Sequence, residues 1–134
     1  MANFYAKGRS NYFKVADVAK FKALCEKYRL ESWEEDKNER YAFTPSDEGG
    51  LQSDPSPDEL FDMEIFVKEL SSVLQDGEVA VYQEVGSEKL RYLVGWAVAI
   101  HSDGRTVTVD LGDIFSKAGQ EFQTDAEKIS QCCY

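Results

Sequence analysis

Apolar residues recur along this chain in two rhythms, one of every third or fourth position and one of every second. Val18, Phe21, Leu24, Cys25 and Tyr28 follow the first. They predict an amphipathic helix over about Val18 to Tyr28, with Asp17 as N-cap. Lys20, Lys22, Glu26 and Lys27 occupy its polar face, and lysines near its end suit the helix dipole. Phe66, Leu70, Val73 and Leu74 predict a second helix, from about Glu64 to Gln75, terminated by Gly77. Upstream, Ser56-Pro57-Asp58-Glu59 fits a capping box with proline at the first helical position. Leu60 to Ile65 is ambiguous, because Phe61, Met63 and Ile65 alternate as in a strand.

The second rhythm predicts strands. "NYFKVAD", Asn11 to Asp17, reads as a short one, on Tyr12, Phe13 and Val15. "LESWEE" and "RYAFTP" form a hairpin around the polar connection "DKNE". Trp33 could share a buried face with Tyr41 or Phe43, with the glutamates alternating outward. "EVAVYQEV", "KLRYLVGWAVAIH" and "RTVTVDL" form an antiparallel meander, joined by "GSEK" and "SDG". In its long strand, Leu90, Tyr92, Val94, Trp96, Val98 and Ile100 share one face. On the other, Gly95, Ala97 and Ala99 leave room for a closely packed helix. "GDIFSKAGQEF" predicts a short helix capped by Asp113, with Ile114, Phe115 and Ala118 inward.

The resulting order, β-α-β-β-α-β-β-β-α, predicts an α+β fold with helices mainly on one face of an antiparallel sheet. Residues 1–134 form a single domain in this reading, with an acidic loop at 46–59 and a polar tail at 120–134. At 43% hydrophobic residues the chain is globular in composition. It lacks a run of about 18 apolar residues. The first fifteen residues lack the apolar core of a secretory signal, so the expectation is a cytoplasmic protein without a membrane span. Cys25, Cys132 and Cys133 fit neither a disulfide framework nor a zinc site.

Charge changes the picture. Residues 1–30 carry seven basic and two acidic side chains, and residues 31–64 carry two basic and twelve acidic. The second segment alone therefore equals the net charge of −10 of the whole chain. Direct binding of nucleic acid is disfavoured, because phosphates would be repelled. The natural partner of such a surface is a basic protein. The N-terminal cations (Lys7, Arg9, Lys14, Lys20, Lys22, Lys27 and Arg29) read as a solvated face balancing the acidic segment within the molecule.

Catalytic patterns are weak. His101-Ser102-Asp103 names the side chains of a serine triad, but a triad converges from separate elements and three consecutive turn residues diverge. Glu34-Glu35-Asp36 lacks the buried setting that would raise a carboxylate pKa for acid–base work. "DKNE" and "SDEGG" lack the spacing of a calcium loop, and "VGSEKL" and "GRSN" lack that of a phosphate loop. The expectation is a non-enzymatic protein without cofactor or metal. A small ligand-binding domain using Arg91, Tyr92 or His101 is an alternative.

In "ESWEEDKNERYAFTPSDEGG", seven of twenty residues are acidic, with Trp33, Tyr41 and Phe43 among them. A hairpin holding carboxylates at fixed spacing can imitate a nucleic-acid backbone to a protein with a basic groove. Glu31, Trp33, Glu34, Glu35, Asp36, Glu39, Asp47 and Glu48 are the partner-binding candidates. The meander's edge strand could also pair with its copy in a homodimer. Asp76 to Ile114, "DGEVAVYQEVGSEKLRYLVGWAVAIHSDGRTVTVDLGDI", resembles segments of small acidic proteins from phages and mobile elements, the loose group that includes anti-CRISPR inhibitors. The resemblance implies a partner-binding inhibitor, such as one of a CRISPR effector, acting in the host cytoplasm. An immunity-type protein that neutralises one toxin has the same expected negative face.

Overall fold

The computed structural model describes residues 5–35, 39–51 and 60–132, with Tyr92 described by its backbone alone. It is an α+β fold in the expected order. Six strands and three α-helices follow as β1 (Tyr5–Ser10), α1 (Val18–Lys27), β2 (Leu30–Glu35), β3 (Arg40–Pro45), α2 (Met63–Val73), β4 (Val79–Glu88), β5 (Tyr92–His101), β6 (Thr106–Asp110) and α3 (Asp113–Phe122). A four-stranded antiparallel sheet has the order β1-β4-β5-β6, and β2 and β3 form a separate hairpin.

The first strand differs from expectation. It is Tyr5–Ser10, whereas Phe13 and Val15 make only isolated bridges to Tyr41 and Leu74. The chain leaves the sheet at Asn11, whose side chain accepts from Val81 N–H and donates to the Val79 carbonyl. Phe13 is then free to enter the core, where it is fully buried. β1 carries no apolar alternation because its inward positions are small. A Cβ on Gly8 would collide with the Tyr82 hydroxyl.

β3 runs beside β1 through side chains. Phe43 N–H donates to Ser10 Oγ at 2.9 Å, and Thr44 Oγ1 donates to the Gly8 carbonyl at 2.6 Å. The core lies on one face of this assembly. Phe43 stacks on Tyr82 at 5.7 Å and meets Phe13 and Phe66 edge-on at 6.1 and 6.3 Å. Phe21, Leu24 and Cys25 of α1 and Phe66, Leu70 and Val73 of α2 close the cluster.

Both helices are capped by aspartate. Asp17 accepts from Lys20 N–H, and Asp62 accepts from Glu64 and Ile65 N–H. Asp62 thus starts α2 next to the predicted position, while Ser56–Glu59 lies outside the described residues. α1 and α2 are tied by Glu69, which accepts from Lys27 Nζ and from the Tyr28 hydroxyl, each at 2.8 Å. Burial would raise the Glu69 carboxyl, but those hydrogen bonds and the Lys27 charge outweigh it and hold it below the usual range.

Two further expectations are overturned. No α-helix among the described residues covers Gly95, Ala97 and Ala99. The Leu111 side chain lies over Gly95, and α2 meets the opposite face, where Val98 and Ile100 are buried. α3 has no fully buried residue: Ile114, expected inward, is 60% exposed, whereas Phe115 and Ala118 are half-buried. Its N-cap is Gly112, without a side-chain cap, and Asp113 instead accepts from Asp110 N–H at 2.9 Å.

Candidate functional site

The β2–β3 register decides where the hairpin carboxylates point. Trp33 faces Ala42, Glu34 faces Tyr41, and Ser32 faces Phe43. Directly opposed residues share a face. Trp33 is therefore on the side away from Tyr41 and Phe43, together with Glu31 and Glu35. The expected sharing of one buried face does not occur, and the glutamates divide between two faces.

Trp33 is half-buried among polar and cationic groups. Its Nε1 donates to the Tyr12 hydroxyl at 2.9 Å, and the Arg9 guanidinium lies 5.1 Å from its ring. Arg9 also covers Tyr12 at 5.4 Å, and Arg40 approaches the same ring at 6.0 Å. Cation–π contacts of this kind hold the ring in place. Trp33 is a brace between β2 and the segment after β1.

The acidic candidates fall into two sets. Glu35 is neutralised by Arg40 at 2.6 Å, and Asp47 lies 4.0 Å from Arg29 while accepting from Gly49 N–H. Glu31, Glu34, Glu39 and Glu48 are exposed and make no ion pair among the described residues. Glu39 holds a left-handed backbone, φ 54°, at the hairpin turn. Asp36 lies outside the described residues. Glu34 and Glu39 border a shallow depression of about 390 Å³ together with Lys14 and Tyr41. Glu48 is anchored by its backbone, its carbonyl accepting from Ala6 N–H at 2.7 Å.

On the Trp33 side, a groove of about 650 Å³ runs between β1 and the segment after β3. Lys7, Arg9 and Trp33 line it with Thr44, Asp47 and Glu48, so its walls carry both signs of charge. Beneath it lies Glu84, 5% exposed. Its Oε1 accepts from the Tyr82 hydroxyl at 2.7 Å and from Leu51 N–H at 2.8 Å, and its Oε2 accepts from Trp96 Nε1 at 3.0 Å. Burial, followed by the Glu84 hydrogen bond and charge, pushes the Tyr82 hydroxyl far above its ordinary value, which keeps it a donor. With three donors in place the carboxylate is satisfied and serves as a strut. Sequence reasoning passed over Arg9 and Glu84 as site residues. Glu84 was detectable as a charge on the Ala80–Tyr82 face of β4.

The His101-Ser102-Asp103 turn is structural. Ser102 Oγ accepts from Gly77 N–H at 2.9 Å, and His101 Nδ1 accepts from Asp103 N–H at 3.1 Å. The Arg105 backbone N–H, donating to Asp103, holds that carboxyl below its usual range, and the Arg105 guanidinium adds to this. Arg91 and His101 lie beyond one end and at the other end of β5, about 30 Å apart at the rise of a strand. They do not converge on one cavity.

Cys25 is buried, and burial pushes its thiol up to about 11 despite the Ser32 hydrogen bond, while Cys132 is exposed. Among the described residues no cluster of His, Cys, Asp and Glu could hold a metal ion, and no helix is long and apolar enough to cross a membrane. No protein-family model, curated protein or solved structure matches the chain.

Proposed function

We propose that this chain is a non-enzymatic inhibitor whose β2–β3 hairpin enters the basic groove of a nucleic-acid-handling protein, such as a CRISPR effector. The observation that carries the reading is the division of carboxylates that make no ion pair among the described residues over both faces of one rigid ribbon. Glu31 stands on the Trp33 face, Glu34 on the opposite face and Glu39 at the turn. A ribbon charged on both sides fits a cleft with two basic walls better than a flat surface. Rigidity supports the same reading. Ala42 and Phe43 are fully buried, so β3 is fixed to the core and the carboxylates keep their spacing. Preorganised charge loses little entropy on docking and steers encounter with a cationic groove. Of the eight candidate residues, Glu31, Glu34, Glu39 and Glu48 carry the contact in this proposal. Glu35, Asp47 and Trp33 position them, since each is engaged within the fold.

The test is displacement of target DNA from a panel of purified CRISPR effectors. The wild-type chain is expected to displace DNA from at least one member, less so as salt rises. The triple variant E31K/E34K/E39K should keep its unfolding midpoint and lose at least about tenfold in potency. Equal potency of the variant, or no displacement by the wild type from any effector, would overturn the proposal.

A further inference from the structure

We infer that the free edge of β6 is a self-pairing surface, through which two copies of this chain join their sheets about a two-fold axis at Val107. β6 is the last strand of the order β1-β4-β5-β6, and all five of its residues are exposed. Its hydrogen-bond phase is set at both ends. Leu111 N–H donates to the Gly95 carbonyl at 2.8 Å, and His101 N–H donates to the Arg105 carbonyl at 2.9 Å. Odd-numbered residues therefore turn their backbone groups toward β5, and even-numbered residues turn theirs outward. Of the outward N–H groups, that of Asp110 is taken by the Asp113 carboxylate at 2.9 Å. Among the described residues, the open edge thus consists of the N–H and C=O groups of Thr106 and Thr108 and the C=O of Asp110.

A second copy fits this short edge. An antiparallel pairing centred on Val107 places Thr106 opposite the copy's Thr108, and Thr108 opposite its Thr106. Each donor and acceptor of Thr106 and Thr108 then finds a partner, and the two Val107 side chains meet at a close, non-hydrogen-bonded position. β6 holds none of the lysines or prolines by which natural edges are usually blocked. Val107, Val109 and Leu111 on the adjoining outer face are 69%, 57% and 58% exposed. Edge pairing brings the two Val107 side chains together, while Val109, Leu111 and Ile114 stay on the outer face of the joined sheet. Charge favours the same contact. In a chain of net charge −10, β6 carries one charged residue, Asp110, so copies meet here with little of the repulsion they would feel at the hairpin.

Sedimentation equilibrium from low micromolar to submillimolar concentration tests the inference. The wild type should reach a dimer. Val107→Lys, at an exposed position that tolerates the change, should keep the unfolding midpoint and raise the dimer dissociation constant at least about tenfold. In a background with Cys132 and Cys133 replaced by serine, V107C should cross-link to a covalent dimer under oxidised glutathione, and V109C should do so far more slowly. A wild type that stays monomeric, a Val107→Lys variant that dimerises as well as the wild type, or equal cross-linking of the two cysteine variants would overturn it.

Discussion

The hairpin and the last strand of the meander end up in opposite states, although both read as amphipathic β-structure. At the hairpin, Phe43 is fully buried between Phe13, Phe66 and Tyr82. At β6, every residue is exposed, and α3 beside it has no fully buried residue. The two carry similar apolar content, so composition does not separate them. The difference is what lies across from each. α1 and α2 bring Phe21 and Phe66 against Tyr41 and Phe43 of β3, whereas among the described helices only the start of α3 reaches the outer side of β5 and β6, where Ile114 and Phe115 border a depression with Leu93 and Leu111. An element's contribution to stability therefore follows its cover, not its hydrophobicity. The same side chains that stabilise at one end are available for docking at the other.

The largest expected effect breaks the sealed end. Phe43→Ala removes a ring that packs against three others in a site with no exposure. The expected loss is about 3–5 kcal/mol in urea unfolding, the range for an aromatic truncated in a well-packed core. A loss below about 1 kcal/mol would mean that the hairpin is not anchored where the stacking places it. The carboxylate array would then lack its support as well.

A smaller effect is expected at Glu84, where the sealed end meets the groove. Glu84→Gln keeps the shape but sets an amide nitrogen against a donor, Trp96 Nε1 or the pair Leu51 N–H and Tyr82 hydroxyl. One buried donor loses its acceptor, which costs about 1–3 kcal/mol. The backbone at Gly50 sharpens the constraint. With φ 86° and a Cβ that would strike Glu84 Oε1, this position accepts no other residue without displacing the carboxylate. Urea unfolding of the variant, with Trp96 fluorescence as a second readout, checks the expectation. An unchanged midpoint and spectrum would show that water, not Leu51, Tyr82 and Trp96, satisfies the carboxylate.

Some of this contrast was legible in the chain and some was not. The α1 period identified Phe21, Leu24 and Cys25 as core, because a 3.6-residue repeat has one buried face. The hairpin bounds followed from strand propensity around a polar turn. Its register did not, since Trp33 and Phe43 are both aromatic and a one-residue choice moves either to the other face. β1 was hidden because Ala6, Gly8 and Ser10 owe their inward places to close approach, which leaves no apolar signal. The acidic candidates were visible as charge. The pairing of Glu35 with Arg40 and Asp47 with Arg29 depends on register and on a tertiary contact that the sequence does not display. α3 shows a further limit. Its amphipathic pattern was clear, but a pattern states which face seeks cover and not whether cover exists.

The smallest expected effect comes from that helix. Phe122 is a large aromatic at the end of α3, 73% exposed. Core truncation of a phenylalanine and truncation of this one remove the same chemical group, so together they isolate burial as the variable. Little of the ring leaves water on folding, and Phe122→Ser forfeits little transfer free energy. The stability change in urea at low protein concentration should stay within about 0.5 kcal/mol, as for other surface substitutions. A loss approaching that of Phe43→Ala would place Phe122 under cover and erase the distinction between the two ends of the sheet. A null result, set beside a large Phe43 effect, leaves the apolar side of α3 as surface available to a second molecule.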